Sequence, residues 1–285
     1  VDSLKRQGAD FIKVYNKLSR EAYFAIAEES KKLGIPFVGH LPYTISAAEA
    51  SDGGQKSFEH MGHPFGGLLL SCSTKETEIR RRWVEARTAG ETLEVLYNSK
   101  PELLDTYDEG KATRLIRKLA KNKTWQCPTF IAFRNFLFDA RPSNLNDRVA
   151  AAQWEESRKK DTLFFQKNLE LAGKMKQSGV PFLAGTDVPD PGPSLHDELK
   201  LLVEAGFSPI EALRTATLNP AIFLGKEKEF GTVKKGKVAD LVLLDADPLV
   251  NINNTRRIAG VVVNGRYLSK ESLQKIVKDA RAVLK

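Results

Sequence analysis

Cysteine is nearly missing from this sequence: 285 residues carry only Cys72 and Cys127, far apart and in no paired spacing. That pattern excludes a disulfide scaffold and a thiolate zinc site, and both residues read as ordinary buried thiols. Long apolar runs are missing too. No stretch approaches the roughly 18 uninterrupted apolar residues of a membrane-spanning helix, and Val1 is followed by the charged Asp2, Lys5 and Arg6. Neither a spanning helix nor a signal peptide is legible, and the compartment stays open. There is no unmixed basic block either. The formal charge is +8, but basic and acidic residues interleave through 155–161 and 226–229. Arg80-Arg81-Arg82 follows Glu76 and Glu78 on one helix with only Trp83 as aromatic neighbour, which reads as a solvated helix face. Neither nucleic acid nor membrane is an expected partner.

What is present is a 41% hydrophobic chain long enough to bury a large core, matching one α/β barrel-sized domain plus a small appendage. Residues 11–15 read as a buried strand, Ser19 as the cap of a helix to about Lys32, and Gly34 as its stop. A second strand, 35–39, runs directly into His40. Ser46 caps a short helix ended by Gly53-Gly54, and a third strand, 57–59, leads into His60. Residues 71–120 read as polar helices within an elaborated βα connection. A strand at 125–130, a long amphipathic helix at about 150–177 and an apolar strand at 180–185 follow, the last ending in Thr186-Asp187. Ser208-Pro209-Ile210-Glu211 is a helix start, with Ser as cap and Glu placed to reach back. After Leu224 short strands at 238–244 and 258–263 are joined without helices, Asn264-Gly265 marks a hairpin, and 269–284 reads as a terminal helix.

The expected fold class is therefore α/β, a (β/α)8 TIM-like barrel portion over 1–224 and a small β-sandwich portion with a terminal helix over 225–285. Taken singly, a histidine after a strand is more often a packed loop residue than a ligand, and an Asp after an apolar run is usually a cap. Lys13 differs, because an ammonium inside an apolar strand must find an anion, lose its proton or be modified; an outward edge position would also suffice. Jointly, Lys13, His40, His60 and Asp187 all sit on strands or at strand ends, where barrels of this kind gather their catalytic groups. Two imidazoles with oxygen ligands suit zinc or a similar divalent metal, and a strand-end carboxylate can act as general base.

These segments resemble the amidohydrolase superfamily, in particular its imidazolonepropionase-like and prolidase-like members. GADFIKVY is similar to the fourth barrel strand with its carboxylated lysine, FVGHLP to the fifth-strand histidine, SFEHMGH to the sixth, and FLAGTDVP to the eighth-strand aspartate. SLHDELKLLVEAGFSPIEALRTATLNPA, GTVKKGKVADLVLLDADPL and VVVNGRYL resemble the family's ending. The resemblance implies hydrolysis of a C–N bond in a small amide, peptide or cyclic amide. Lys13, His40, His60 and Asp187 would be the metal ligands, and Asp187 the catalytic group that moves the proton. His196, His63, Tyr15 and Tyr43 would touch substrate or orient ligands, although each has an ordinary packing explanation.

One departure matters. The family's first strand carries a His-x-His pair, and none occurs in these 285 residues. The expectation is an incomplete barrel of about strands four to eight, with weak or no activity and zero or one metal in place of one or two. Its exposed edges would favour a homo-oligomer. The alternative is a catalytically incompetent chain of the same fold that serves as a binding or assembly module.

Overall fold

The computed structural model describes residues 1–61, 67–86, 88–138 and 148–283. The chain falls into two units, Val1–Val188 and Pro189–Lys285.

The first unit is organised by four short parallel strands, β1 (Ile12–Val14), β2 (Phe37–Gly39), β3 (Ser57–Glu59) and β4 (Trp125–Cys127), in the order β1-β2-β3-β4. Helices connect them, as parallel neighbours require. Helix Arg20–Leu33 is capped by Ser19, whose hydroxyl accepts from the Ala22 amide, and stops at left-handed Gly34. Helix Ala47–Asp52 begins with a full capping box, Ser46 to Glu49 and back. β1, β2 and β3 are thus set one βα unit apart, and their C-terminal ends lie side by side.

The expected polar segment 71–120 folds as helices Leu68–Ser71, Glu76–Glu85, Ala89–Asp105 and Glu109–Asn122. Here the arginine run departs from expectation. Only Arg81 keeps the solvated role, pairing with Glu85 one turn on. Arg80 turns inward to donate to the Tyr43 and Ile45 carbonyls and pairs with Glu76, and Arg82 pairs with Glu102. Buried carbonyls at the end of the Pro42 loop need donors, and a guanidinium supplies several in one plane.

β4 ends at Cys127 instead of Phe130, because Pro128 has no amide to continue the ladder and helix Phe130–Phe138 starts at once. The expected strand 180–185 is reduced to one parallel bridge, Gln126 with Phe182. Its backbone still runs along β4, with the Gln126 amide donating to Pro181 and the Leu183 amide to Gln126. Between them, helix Arg148–Gln177 carries the long amphipathic pattern.

The core of this unit is Val14, Tyr23, Phe37, Val38, Phe58, Leu119, Phe130, Phe133, Leu171 and Met175, all nearly inaccessible. Cys72 is buried as expected, whereas Cys127 is only partly so. No helix among the described residues is long and apolar enough to cross a membrane.

The second unit holds helices Pro191–Glu204, Pro209–Thr215 and Leu218–Phe223, then an antiparallel sheet of β5 (Leu241–Leu244), β6 (Ile258–Val263) and β7 (Arg266–Ser269), and helix Lys270–Val283. Asn264 and Gly265 both take positive φ, 49° and 72°, as the two-residue turn between β6 and β7 demands.

Candidate metal centre

Three of the four residues singled out from the sequence stand on the first three strands. His40 follows β2 and His60 follows β3, each one residue past the strand's end, and Lys13 is the middle residue of β1. The fourth, Asp187, lies beyond the Phe182 bridge. Register decides which side chains meet. Lys13 is level with Val38, Val38 with Ser57, and Glu59 lies two residues beyond Ser57. With a side-chain period of two, Lys13 and Glu59 therefore share one face. Lys13 Nζ and Glu59 Oε2 are 2.7 Å apart.

The two histidines are buried, 2% and 3% exposed. Their rings meet edge to face with centroids 4.5 Å apart. Each holds its Nδ1 against a neighbour, His40 on Asn16 Oδ1 at 3.0 Å and His60 on Thr129 Oγ1 at 2.8 Å. Each turns Nε2 toward a carboxylate: His40 toward Glu59 Oε2 at 3.9 Å, His60 toward Asp187 Oδ2 at 3.5 Å. One ligand atom each from His40, Glu59 and His60 fits within 4.8 Å of the others. On a tetrahedral ion with bonds of about 2.0–2.1 Å, neighbouring ligand atoms lie about 3.3 Å apart. The 3.9 Å between His40 Nε2 and Glu59 Oε2 is wider than that, so the side chains would have to draw together around an ion. The donor set fits a divalent ion of the zinc type.

Electrostatics follow the same geometry. Burial pulls the Lys13 ammonium toward neutrality, but the hydrogen bond and charge of Glu59, helped by Asp187 and Tyr15, outweigh it and raise its pKa. Burial lowers His60; Asp187 and Glu59 oppose this in part, and Lys13 adds to it. The imidazole is thus held neutral, the state a metal ligand needs.

Backbone strain gathers here as well. Among the described residues five non-glycine positions have positive φ, and three of them are His60 (60°), Thr129 (49°) and Asp187 (47°). Such conformations cost on the order of 1–3 kcal/mol and persist where surrounding structure imposes them, typically at functional sites.

The remaining candidates divide. Tyr15 stacks on the His40 ring with centroids 4.1 Å apart, its other face exposed. Tyr43 is buried and accepts a hydrogen bond from Asn16 Nδ2 at 2.8 Å, beneath His40. His196 belongs to the second unit, where its Nδ1 lies 2.9 Å from Thr255 Oγ1 and burial lowers its pKa. His63 lies outside the described residues. Lys13 has found its anion, and among the described strands it is also on the outer one of its sheet, with half its side chain exposed. Two residues escaped the sequence reading. Glu59 carried a signal, a carboxylate closing an otherwise apolar three-residue strand. Asn16 carried none, since a single Asn after a strand reads as a turn residue.

The sequence model of the Amidohydrolase family matches residues 16–268. An imidazolonepropionase of Vibrio parahaemolyticus is 32% identical over 103 residues, 33% of this chain and 24% of that protein. An ochratoxinase of Aspergillus niger is 35% identical over 78 residues, 27% of this chain and 16% of that protein. Among solved structures, a Xaa-Pro dipeptidase superposes with a TM-score of 0.63 at 18% identity, covering 94% of this chain and 57% of that one. A bottromycin amidohydrolase gives 0.65 at 23%, covering 96% and 59%. The chain thus spans somewhat over half the length of the structures it matches, and the aligned segments span a quarter or less of the curated relatives.

Proposed function

Because the chain belongs to the amidohydrolase family, whose sequence model covers most of it, we propose that it is a metal-dependent hydrolase of C–N bonds in small amides, peptides or cyclic amides. The observation that carries this reading is the pair of buried strand-end histidines, each presenting Nε2 to a carboxylate. His40 and His60 would hold a divalent ion, zinc by the chemistry of the donors, with Asp187 and either Glu59 or a carboxylated Lys13 as oxygen ligands. When bound, the ion polarises a carbonyl oxygen and acidifies water at the site. Asp187, whose side chain is 66% exposed, would take the proton from the attacking water and hand it to the leaving nitrogen, so that the amine departs neutral. The sequential parallel order of β1–β4 supports a TIM-like barrel reading for 1–224, with 225–285 as the sandwich portion. The dipeptidase and imidazolonepropionase likenesses support amide and cyclic-amide substrates.

Between the two oxygen ligands, the 2.7 Å Lys13–Glu59 contact favours Glu59. Carboxylation requires Lys13 Nζ to shed a proton and attack the carbon of CO2, and Glu59 holds that proton in place. Glu59 would then be the ligand and Lys13 its unmodified counter-ion.

The test is metal-dependent amine release from a panel of Xaa-Pro dipeptides and N-acyl amino acids, followed beside metal binding. Release that needs zinc, and that falls at least about a hundredfold in Asp187→Asn while zinc still binds, supports the hydrolase. Release equal in both proteins removes Asp187 from its role. The second reading is a catalytically incompetent binding module of the same fold. Zinc binding with no release from any substrate is the outcome it predicts.

A further inference from the structure

Three consecutive residues past and at the end of β1 clamp His40. The Val14 carbonyl accepts from the His40 amide at 3.1 Å, the Tyr15 ring stacks on the imidazole, and Asn16 Oδ1 stands 3.0 Å from Nδ1. Asn16 is 3% exposed and is itself pinned from two sides. Its carbonyl accepts from the Tyr43 amide at 2.9 Å, and its Nδ2 donates to the Tyr43 hydroxyl at 2.8 Å. With the amide nitrogen turned to the phenol, the atom facing His40 is a carbonyl oxygen, which can only accept.

We propose that Asn16 is a positioning residue that fixes His40 as the tautomer protonated on Nδ1, leaving the Nε2 lone pair aimed into the metal site. The placement of Nε2 agrees. At 3.9 Å from Glu59 Oε2 it makes no hydrogen bond to that carboxylate, as the Nδ1–H tautomer requires. His60 offers the contrast. Its Nδ1 faces the Thr129 hydroxyl, which both donates and accepts, so that contact by itself selects no tautomer. At Nδ1 the two histidines therefore differ: His40 meets an oxygen that can only accept, and His60 a hydroxyl. The neutral histidine side chain in water favours the proton on Nε2, so Asn16 acts against that preference and removes a cost that metal capture would otherwise carry.

The idea rests on His40 being a metal ligand, yet its readout does not. Long-range 1H–15N correlation spectra of metal-free, 15N-histidine-labelled protein, recorded well above the imidazole titration range, report the tautomer directly. The His40 signals are assigned from the spectrum of His40→Gln. The expected result is a single Nδ1–H form at His40. In Asn16→Leu it shifts to Nε2–H or to a mixture, and zinc affinity falls on the order of 10–100-fold. Asn16→Asp keeps an acceptor at the same place and should retain Nδ1–H, a rescue that mere space-filling would not give. Nε2–H at His40 in the unaltered protein overturns the proposal even if Asn16→Leu fails to fold, as does an unchanged tautomer in a folded Asn16→Leu. A chain that binds no zinc but shows Nδ1–H would remove the metal reading and leave this one standing.

Discussion

At Glu49 one carboxylate closes the Ser46 capping box and also pairs with Arg20 at 2.6 Å. Burial pushes its pKa up, but the Arg20 and Ser46 hydrogen bonds outweigh that and bring it down to about 2 from 4.5. A depressed carboxylate stabilises the fold above its unfolded pKa and loses that contribution as pH falls through the folded value. Since the side chain is 41% exposed, solvent screening cuts the effect to about 1 kcal/mol. Glu49→Gln should therefore cost about 1 kcal/mol at pH 7, and the cost should shrink between pH 4.5 and 2. Urea melts across that range check it, and a cost that grows with acidity would be wrong in sign. At the site, Glu59→Gln should weaken zinc binding at least about tenfold by chelator competition if Glu59 is a ligand; undiminished affinity would return the role to Lys13. Legibility at this scale followed chemistry. His40, His60, Lys13 and Asp187 could be picked out because charge or imidazole at the end of an apolar strand is costly or useful. Asn16 could not, since its meaning lies in a partner 24 positions on.

Elements were legible where a local rule ends them. Gly34, the Ser46 box and Asn264-Gly265 did what their turn chemistry requires. The reading failed at 180–185, where apolar composition promised a strand and backbone pairing along β4 supplied one bridge. Pairing is a tertiary fact that composition does not carry. Gly39 shows how closely β1 and β2 must approach beside His40. Its φ is 119°, and an added Cβ would run into the Val14 carbonyl oxygen. Gly39→Ala should destabilise the first unit by about 2 kcal/mol or more, read by calorimetry; a change under about 0.5 kcal/mol would show that the strands can part freely. Between helices Ala89–Asp105 and Arg148–Gln177, Lys100 and Asp161 form an ion pair buried on both sides. Burial lowers the Lys100 pKa, and Asp161 opposes the shift. Lys100→Met should cost about 3–5 kcal/mol by stranding Asp161, whereas adding Asp161→Leu should recover much of it. Equal losses in the single and double variants would mean that packing, not the charge, holds these helices together.

For the molecule as a whole, the parallel sheet and the helices between its strands were readable from alternating apolar runs and caps, whereas closure of a barrel is a question of strands far apart in sequence. Exposed apolar side chains stand on β5 and β7 and on the terminal helix, among them Val242, Leu243, Tyr267, Ile276 and Val277. β1 and β5 are edges among the described strands. Unpaired edges and apolar patches favour association, so we propose that the chain self-associates at micromolar concentration despite its charge of +8. Light scattering should report a dimer or larger species that persists in high salt; a monodisperse monomer throughout would contradict it. The central claim, that His40 and His60 hold one divalent ion, is tested most directly by zinc stoichiometry of the purified 285-residue chain, measured by elemental analysis beside the His40→Ala/His60→Ala double variant. The account predicts one zinc per chain, lost in the double variant while the fold is retained. Two zinc ions per chain, or one that survives loss of both histidines, would contradict it.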